Sequence, residues 1–498
     1  MRLTKKDIQK GFGALKKKAA KSFRKGAYSD AMRYLNVCSS VACQFNLQYA
    51  DDDMELLLKQ IAEKTIRQVS AYESLPDRWI LYDDFCTTYV LGLQWLEAMA
   101  LSGKQLLYIT TRNVEAESRH RNILDRVAEY KNVTVEIIPR GMVFERTQLL
   151  YETIVRYKAS KLVMHKRATG SVMDIVMPVL PNGLSRYVIN LSDQTFWLGA
   201  RSIDYCLEFR QFGASVSLQR RGLKREQLLL VPFYPADDRN AFAGFPPECT
   251  EDKTIIFSGG DFYKTLDDKR MYWRLIQNIL NKYPQVVFLF ATKNIPEGDS
   301  DICRFIKDNH FEGRFIYINF RPDIYQVFAH CDIYMGTSPT SGSLMSQLAA
   351  INGKPILQYY EPGTPDDETE QAICINDTFE ISFREEDSFM QEADRLISDA
   401  DYRHMQGECL RNAMMQEEQF NKLVLDTLET NQTQLPIHEY EIDYEGLDDR
   451  WYYLEKAGYT NSMPFIYGTL GNVDCVKYAP MLFFKKNYER IQNKLKRT

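Results

Sequence analysis

The sequence lacks the spacings that metal-binding proteins show. Its ten cysteines include no Cys-x-x-Cys pair, and no two of its six histidines are spaced as metal ligands on one helix. Zinc sites depend on such spacings, so we expect no metal ion in this protein. Scattered cysteines are also typical of a reducing compartment, which favours a cytoplasmic location.

Other familiar patterns are missing as well. No run of about eighteen apolar residues predicts a membrane-spanning helix, and the start Met-Arg-Leu-Thr-Lys-Lys lacks the apolar core of a signal peptide. The Gly-x-x-x-x-Gly-Lys-Ser/Thr motif does not occur, and no Gly-x-Gly-x-x-Gly follows a predicted strand. These absences disfavour P-loop ATPases and dinucleotide-dependent dehydrogenases.

The composition is that of a globular protein with more than one domain. The 498 residues, 45% hydrophobic and 26% charged, are enough for two or three separate cores. The formal net charge is −5, so we expect no nucleic-acid partner.

Residues 1–73 are predicted to form a helical extension whose first helix is strongly basic. Nine lysines and arginines and a single acid occur in residues 5–25. The apolar residues of this helix recur every three or four positions: Ile8, Phe12, Leu15 and Ala19. Two interpretations stay open. The helix lies on an anionic membrane surface as a peripheral contact, or its apolar stripe packs on the main body and its charges are solvated.

From residue 74 onward, short apolar runs alternate with helical patterns. In residues 74–235 the predicted strands are Trp79–Tyr82, Leu106–Thr110, Val133–Ile138, Lys161–His165, Arg186–Leu191, Tyr205–Phe209 and Leu228–Val231. In residues 250–425 they are Thr254–Phe257, Val286–Ala291, Arg314–Ile318, Ile333–Met335, Ile356–Gln358 and Ala372–Ile375. The continuous apolar runs are typical of parallel strands covered on both faces. The sequence therefore predicts an α/β protein with two tandem parallel-sheet domains.

Two segments lie outside these domains. Residues 232–253, rich in proline and glycine, are predicted to be a linker. Residues 430–498 form a tail that ends in a predicted helix, Pro480–Leu495, and that we expect to pack back on the first domain. Tandem domains of this kind predict a ligand cleft at the carboxyl ends of their strands.

The stretch Cys331–Tyr360 predicts a strand, a loop of small residues, a helix ended by Gly353, and a second strand. The loop Thr340-Ser341-Gly342-Ser343 opens the helix. Backbone N–H groups and the positive end of the helix dipole suit a phosphate there. An ordinary capped helix is the alternative interpretation.

Two more loops of the second domain are candidates for the same ligand. Ser258-Gly259-Gly260 follows its first strand, and Lys264 lies four residues further on. Arg321 follows the third strand. The glycines allow a close backbone approach, and the cationic side chains suit a phosphate. Three such loops in one sheet are a more specific signal than any one of them.

The first domain offers two candidates for proton transfer. His165 ends a predicted strand and is a possible general base, with a structural histidine as the alternative. Asp193 and Gln194 directly follow another strand, and Phe196 with Trp197 could wall an acceptor site. Here the alternative is an N-cap aspartate followed by core aromatics.

These residues resemble nucleotide-sugar-dependent glycosyltransferases of the GT-B fold, which has two Rossmann-like domains. The resemblance covers about residues 76–425. Ser258-Gly259-Gly260 with Lys264, and the Ser341–Ser343 loop ending at Gly353-Lys354-Pro355, are similar to the donor domain of that class. The segment Asn190–Gly199 is similar to a bacterial signature that reads Asn-His-Ala-Asp-His, then x-Phe-Trp-Leu-Gly. The helical start, with Phe45-Asn46 and Asp51-Asp52-Asp53, is similar to the extension that some bacterial members carry.

The sequence departs from that class at three positions. Leu191 and Gln194 stand where the signature carries histidines. Leu348 stands where many members hold the donor ribose with a glutamate. The departures remove an obvious base and a ribose anchor, which leaves room for another donor, a retaining mechanism or weak catalysis.

The resemblance implies transfer of a sugar from a nucleoside diphosphate donor to a glycan, lipid-linked or protein acceptor, in surface glycan biosynthesis and without a cofactor. Asp193, ranked first, and His165 are the predicted catalytic residues. The predicted donor-binding residues are Ser258, Gly259, Gly260, Lys264, Arg321, Thr340, Ser341, Gly342 and Ser343. An epimerase or glycerophosphotransferase-like enzyme of the same fold, and a non-catalytic scaffold of a glycan-assembly complex, are the alternatives.

Overall fold

The computed structural model describes residues 4–84, 91–111, 121–237, 239–267, 269–293, 300–319, 321–360, 368–373, 379–446, 463–478 and 480–495. The chain divides into two compact units. Unit 1 comprises Met1–Val231 and Leu423–Thr498, and unit 2 comprises Pro232–Lys422. The helical extension and the tail thus belong to unit 1, and the predicted linker belongs to unit 2.

Unit 1 contains the predicted parallel sheet of seven strands. They are β1 (Leu75–Asp83), β2 (Gln105–Thr110), β3 (Val133–Ile137), β4 (Ala159–His165), β5 (Ser185–Ile189), β6 (Tyr205–Glu208) and β7 (Leu228–Leu230). Their order is β3-β2-β1-β4-β5-β6-β7, with every neighbouring pair parallel. The strand order reverses between β1 and β4, which is the topological switch point of this sheet.

Eight helices lie in the first part of unit 1 as the structure describes it. They are α1 (Lys5–Arg24), α2 (Tyr28–Phe45), α3 (Asp52–Thr65), α4 (Leu91–Ala100), α5 (Arg121–Ala128), α6 (Val143–Tyr157), α7 (Val172–Val176) and α8 (Gln211–Gln219). The apolar stripe of α1 is buried in the same core as α2, α3 and the sheet. The apolar stripe of α1 therefore packs on the main body, and its charged face points away from that core.

Unit 2 contains a six-stranded parallel sheet with the order β10-β9-β8-β11-β12-β13. Its strands are β8 (Thr254–Gly259), β9 (Val286–Ala291), β10 (Phe315–Ile318), β11 (Ile333–Met335), β12 (Ile356–Tyr359) and β13 (Ser382–Phe383). The described helices are α9 (Met271–Lys282), α10 (Asp301–Asp308), α11 (Ile324–His330), α12 (Ser343–Ile351), α13 (Glu368–Ile373), α14 (Glu386–Ser398) and α15 (Ala400–Ala413). The boundary between the units falls within α16 (Glu417–Thr430), which begins in unit 2 and ends in unit 1. The switch point lies between β8 and β11. The predicted fold class, α/β with two parallel-sheet domains and a helical extension, is confirmed.

The last predicted strand of this domain, Ala372–Ile375, is wrong where the structure describes it. Ala372 and Ile373 end the helix α13, and residues 374–375 lie outside the described residues. The Gln347 side chain donates to the Ala372 carbonyl over 2.8 Å and holds α13 against α12. A run of four apolar residues fits a buried strand and a buried helix end equally well, so tertiary packing decided between them.

The tail contributes α17 (Met463–Tyr478), which is kinked at Gly471 where φ is 74°, and α18 (Pro480–Leu495), which has the predicted bounds. Leu470 and Cys475 of α17 are buried in the core of unit 1. Met481 and Phe483 of α18 pack against the same core. Among the described residues, no helix is both long enough and apolar enough to cross a membrane.

Candidate functional site

The loops after β8 and β11 lie side by side at the switch point of unit 2, because these two strands are neighbours. Gly260, directly after β8, has a φ of 148°, a conformation that favours glycine. Its N–H donates to the Ala291 carbonyl at the end of β9. The chain then forms a 3-10 turn, Phe262–Thr265, which contains Lys264. This turn brings a cation to the carboxyl edge of the sheet.

The 3-10 turn and the second loop are joined through Lys264. Its carbonyl accepts the Thr340 N–H over 3.2 Å. Its Nζ lies 3.6 Å from the point where a Cβ on Gly342 would sit. Gly342 directly precedes α12 and supplies no side-chain cap. The first-turn amides of α12 and the Lys264 ammonium are therefore close together, which is a suitable arrangement for an anionic ligand.

Gln358 is a residue of this site that the sequence reasoning missed. It is buried at the end region of β12, and its amide donates to the Thr337 carbonyl over 3.1 Å. Thr337 in turn donates its hydroxyl to the Thr340 carbonyl over 2.6 Å. A Cβ on Gly336 would sit only 1.9 Å from the Gln358 Oε1, so Gly336 lets this amide enter. The sequence signal for Gln358 was its position as a polar residue near the end of a buried apolar strand.

Ser258 belongs to the fold and not to the ligand-facing loop. It is fully buried in β8, and its hydroxyl lies 2.6 Å from the Tyr272 hydroxyl of α9. A side chain that is bonded inside the core is badly placed to contact a ligand at the edge of the sheet. The structure thus gives the Ser258 hydroxyl a partner inside the core, and its role as a donor contact stays a prediction.

Arg321 forms hydrogen bonds with other groups of unit 2. Its guanidinium donates twice to Asp323, over 2.7 and 2.6 Å, and also to the Gly244 carbonyl over 2.7 Å. These bonds hold the pKa of the Asp323 carboxyl below its usual value. Arg321 follows β10, the edge strand, which is separated from β8 by β9. We conclude that Arg321 fastens the segment around Gly244, and that only two of the three predicted loops meet at the switch point.

The switch point of unit 1 brings together His165 and Asp83, which are register partners at the ends of β4 and β1. The His165 Nδ1 lies 2.9 Å from the Asp83 Oδ1, and both side chains are buried. Tyr108 donates its hydroxyl to the other Asp83 oxygen over 2.9 Å. A carboxylate that accepts the Nδ1 proton leaves the lone pair of the neutral ring on Nε2. The arrangement is that of an oriented general base.

Asp193, the first-ranked catalytic candidate, has a different environment. Both of its carboxylate oxygens accept from Arg210, over 2.5 and 2.9 Å, and the side chain is fully buried. Arg221 donates to the backbone carbonyls of the same loop at Ser192, Asp193 and Thr195. A carboxylate whose two oxygens are both held by a guanidinium is poorly placed to take a substrate proton. We therefore revise the ranking and place His165 before Asp193.

The aromatic residues after Asp193 are also part of the core. Phe196 and Trp197 are buried in the hydrophobic cluster of unit 1, as in the alternative interpretation, and do not form an exposed wall. Glu55 of α3 binds the loop that follows Trp197. Its Oε1 accepts the N–H groups of Gly199 and Ala200. Burial raises the pKa of Glu55 to about 7.

A buried ion pair lies near this loop. The Lys166 Nζ, one residue after β4, is 2.9 Å from the Asp174 Oδ1 of α7, and it also lies 5.4 Å from the ring centroid of Trp197. Burial raises the pKa of Asp174 to about 6, although the lysine opposes the shift. The sequence reasoning singled out neither residue.

No protein-family model matches this chain, and no curated protein matches it either. Solved structures do resemble it in fold. A mutant of the Thermobaculum terrenum O-GlcNAc transferase has a TM-score of 0.52 at 15% identity, covering 84% of this chain and 78% of that one. Anabaena HepE in complex with UDP-glucose has a TM-score of 0.50 at 12% identity, covering 71% and 99%. A glycosyltransferase from Rickettsia africae has a TM-score of 0.50 at 11% identity, covering 73% and 99%. At such identities the likeness shows the fold, which is that of the GT-B glycosyltransferases.

Proposed function

We propose that the chain is a glycosyltransferase that moves a sugar from a nucleoside diphosphate donor to a glycan, lipid-linked or protein acceptor in surface glycan biosynthesis. The observation that carries the proposal is the convergence in unit 2 of Lys264, the Gly259–Gly260 turn and the start of α12. It supplies a cation and the N-terminal end of a helix at one switch point, where open parallel sheets bind ligands. The donor diphosphate would bind there.

The chemistry of transfer needs charge stabilisation on the donor and, if the configuration inverts, a base for the acceptor. As the glycosidic bond breaks, the diphosphate gains negative charge, which Lys264 and the α12 dipole would neutralise. The base in this proposal is His165, with Asp83 holding its Nδ1 and stabilising the imidazolium that forms. A retaining transfer would use the same donor site without this base.

Nucleotide binding tests the donor half of the proposal. We expect the full-length chain to bind UDP or GDP and the corresponding sugar nucleotides in calorimetric titrations, and UDP-glucose, the ligand of HepE, belongs among the first donors tried. Lys264→Ala should weaken diphosphate binding by about 1.5–3 kcal/mol, the contribution of a charge-assisted hydrogen bond, with little effect on thermal stability.

The matched control is Lys307→Ala, since Lys307 is an exposed lysine on α10 of the same unit. Failure of every diphosphate to bind at millimolar concentration would refute the donor site. Equal diphosphate affinities of wild type and Lys264→Ala would show that Lys264 is a surface residue without a role in binding. Conversion of a sugar nucleotide in the absence of any acceptor would instead indicate an epimerase.

A further inference from the structure

One face of α1 is a stripe of exposed cations. Lys6, Lys10, Lys17, Lys21 and Arg24 are all exposed, and their spacing of four, seven, four and three residues places them within about 60° of arc over about 27 Å. Within the part of the chain that the structure describes, none of the five forms an ion pair. Since the apolar stripe of α1 is buried on the opposite face, the fold directs these charges outward.

The two tail helices, which contact α1, carry exposed apolar side chains. On α18, Phe484, Tyr488 and Ile491 are 55%, 47% and 57% exposed and are spaced by four and three residues, so they share one face. On α17, Val473 is 81% exposed. Single exposed apolar residues are common on folded proteins, whereas a group of them on one face marks an interaction site.

Contacts within unit 1 connect the two features. Asp474 of α17, next to Val473, forms an ion pair with Lys18 of α1, and α1 contacts both α17 and α18. Cations and apolar side chains therefore adjoin on one part of unit 1, although the whole chain carries a net charge of −5.

We propose that the five cations of α1 together with Val473, Phe484, Tyr488 and Ile491 form a docking surface for an anionic lipid bilayer. The cations would meet the lipid phosphates and carboxylates, and the apolar side chains would enter the boundary between headgroups and acyl chains. A nucleic acid would match the cations only, and a second protein copy would have to match five like charges with acids. An anionic lipid surface matches both the cations and the exposed apolar side chains. The proposal is independent of the proposed enzymatic activity.

Flotation of the full-length chain with lipid vesicles tests the docking surface. We expect binding to phosphatidylcholine vesicles that contain phosphatidylserine, weak binding to pure phosphatidylcholine, and release at high ionic strength, because salt screens the charges. The double substitution Lys10→Gln and Lys17→Gln should lower partitioning about 25-fold, since each cation near such a surface contributes about fivefold. Phe484→Ser should also weaken binding, and it should leave a residual attachment that is fully sensitive to salt.

Matched controls come from exposed residues of unit 2. Lys307→Gln with Lys422→Gln removes the same charge, and Met405→Ser, at a residue 51% exposed, removes a similar apolar side chain. The proposal is overturned if neutral and anionic vesicles bind the chain equally, or if the controls lose as much binding as the test variants. It is also overturned if Phe484→Ser leaves vesicle binding intact but turns a dimer into a monomer in sedimentation, because the face would then bind a second copy.

Discussion

His165 ends one strand of unit 1 and Asp193 follows another, but their hydrogen-bond partners differ. His165 has its Nδ1 next to the Asp83 carboxylate, so its ring is held in one orientation. Asp193 has both oxygens held by Arg210. Residue type and position after a strand made both of them candidates in the sequence, with Asp193 ranked first. Their hydrogen-bond partners, which come from other strands and helices, separate them.

At this scale we predict that His165→Gln lowers the transfer rate by about 10²–10⁴ while nucleotide affinity is unchanged, because the variant loses the base and keeps the donor site. Asp83→Asn should lower the rate less and shift its pH profile, since Asp83 acts through the imidazole. Steady-state kinetics and nucleotide titration of the two variants measure these effects.

Asp193→Asn is the informative comparison for these variants. It removes the negative charge from the buried ion pair with Arg210 and should cost about 3–5 kcal/mol of unfolding free energy. A His165→Gln variant that transfers at the wild-type rate would contradict the base assignment and favour a retaining mechanism.

At the scale of elements, one carboxyl links the helical extension to the candidate site. Glu55 lies on α3, and its Oε1 accepts from the backbone of the loop at Gly199 and Ala200. The pKa of Glu55 rises from 4.5 to about 7, mainly through burial, and the two backbone bonds oppose the rise. A group whose folded pKa is raised in this way binds protons more tightly in the folded state. It therefore makes stability fall as the pH rises from about 4.5 to about 7.

We predict that Glu55→Gln is about 1–3 kcal/mol more stable than wild type at pH 8, because the amide keeps the oxygen acceptor and carries no buried charge. At pH 4.5 the two proteins should differ little. Denaturant unfolding at several pH values checks this, and Glu63→Gln, at a half-exposed glutamate of the same helix, is the control. A Glu55→Gln variant that is less stable than wild type at pH 8 would show that the charged carboxylate is needed.

At the scale of the whole molecule, the chain ends are part of one core. α1 and α17 contribute buried residues to the same cluster as the sheet of unit 1, although more than 400 residues separate them in sequence. Leu470 is buried on α17, whereas Val473, three residues later, is largely exposed. The tail is thus an element of unit 1 with one packed and one open side.

Accordingly, Leu470→Ala should destabilise unit 1 by about 2–5 kcal/mol, the usual cost of a cavity left by a buried leucine. Val473→Ala, the exposed control just after the kink at Gly471, should change stability by less than about 0.5 kcal/mol. Differential scanning calorimetry of the full-length variants measures both. If the two variants unfold at the same temperature, α17 is not a part of the core of unit 1.

The sequence by itself determined the order and type of most elements. Continuous apolar runs predicted seven strands in the first domain and five of six in the second, because a strand covered on both faces must be apolar throughout. Turn and cap residues predicted the loop at the start of α12 and the end of that helix at Gly353, whose φ is 64°. The helix Pro480–Leu495 followed from its own periodicity. All these features depend on neighbours within a few residues along the chain.

Only the tertiary structure decided which polar residues meet. Strand order is a long-range property, and it placed Asp83 beside His165 and placed Arg321 after an edge strand. It also buried Ser258, Phe196 and Trp197, which the sequence had placed at a ligand. Burial and hydrogen bonds between residues tens of positions apart set the role of an ionisable group. A local pattern therefore identifies the candidates, and the packing of strands and helices selects among them.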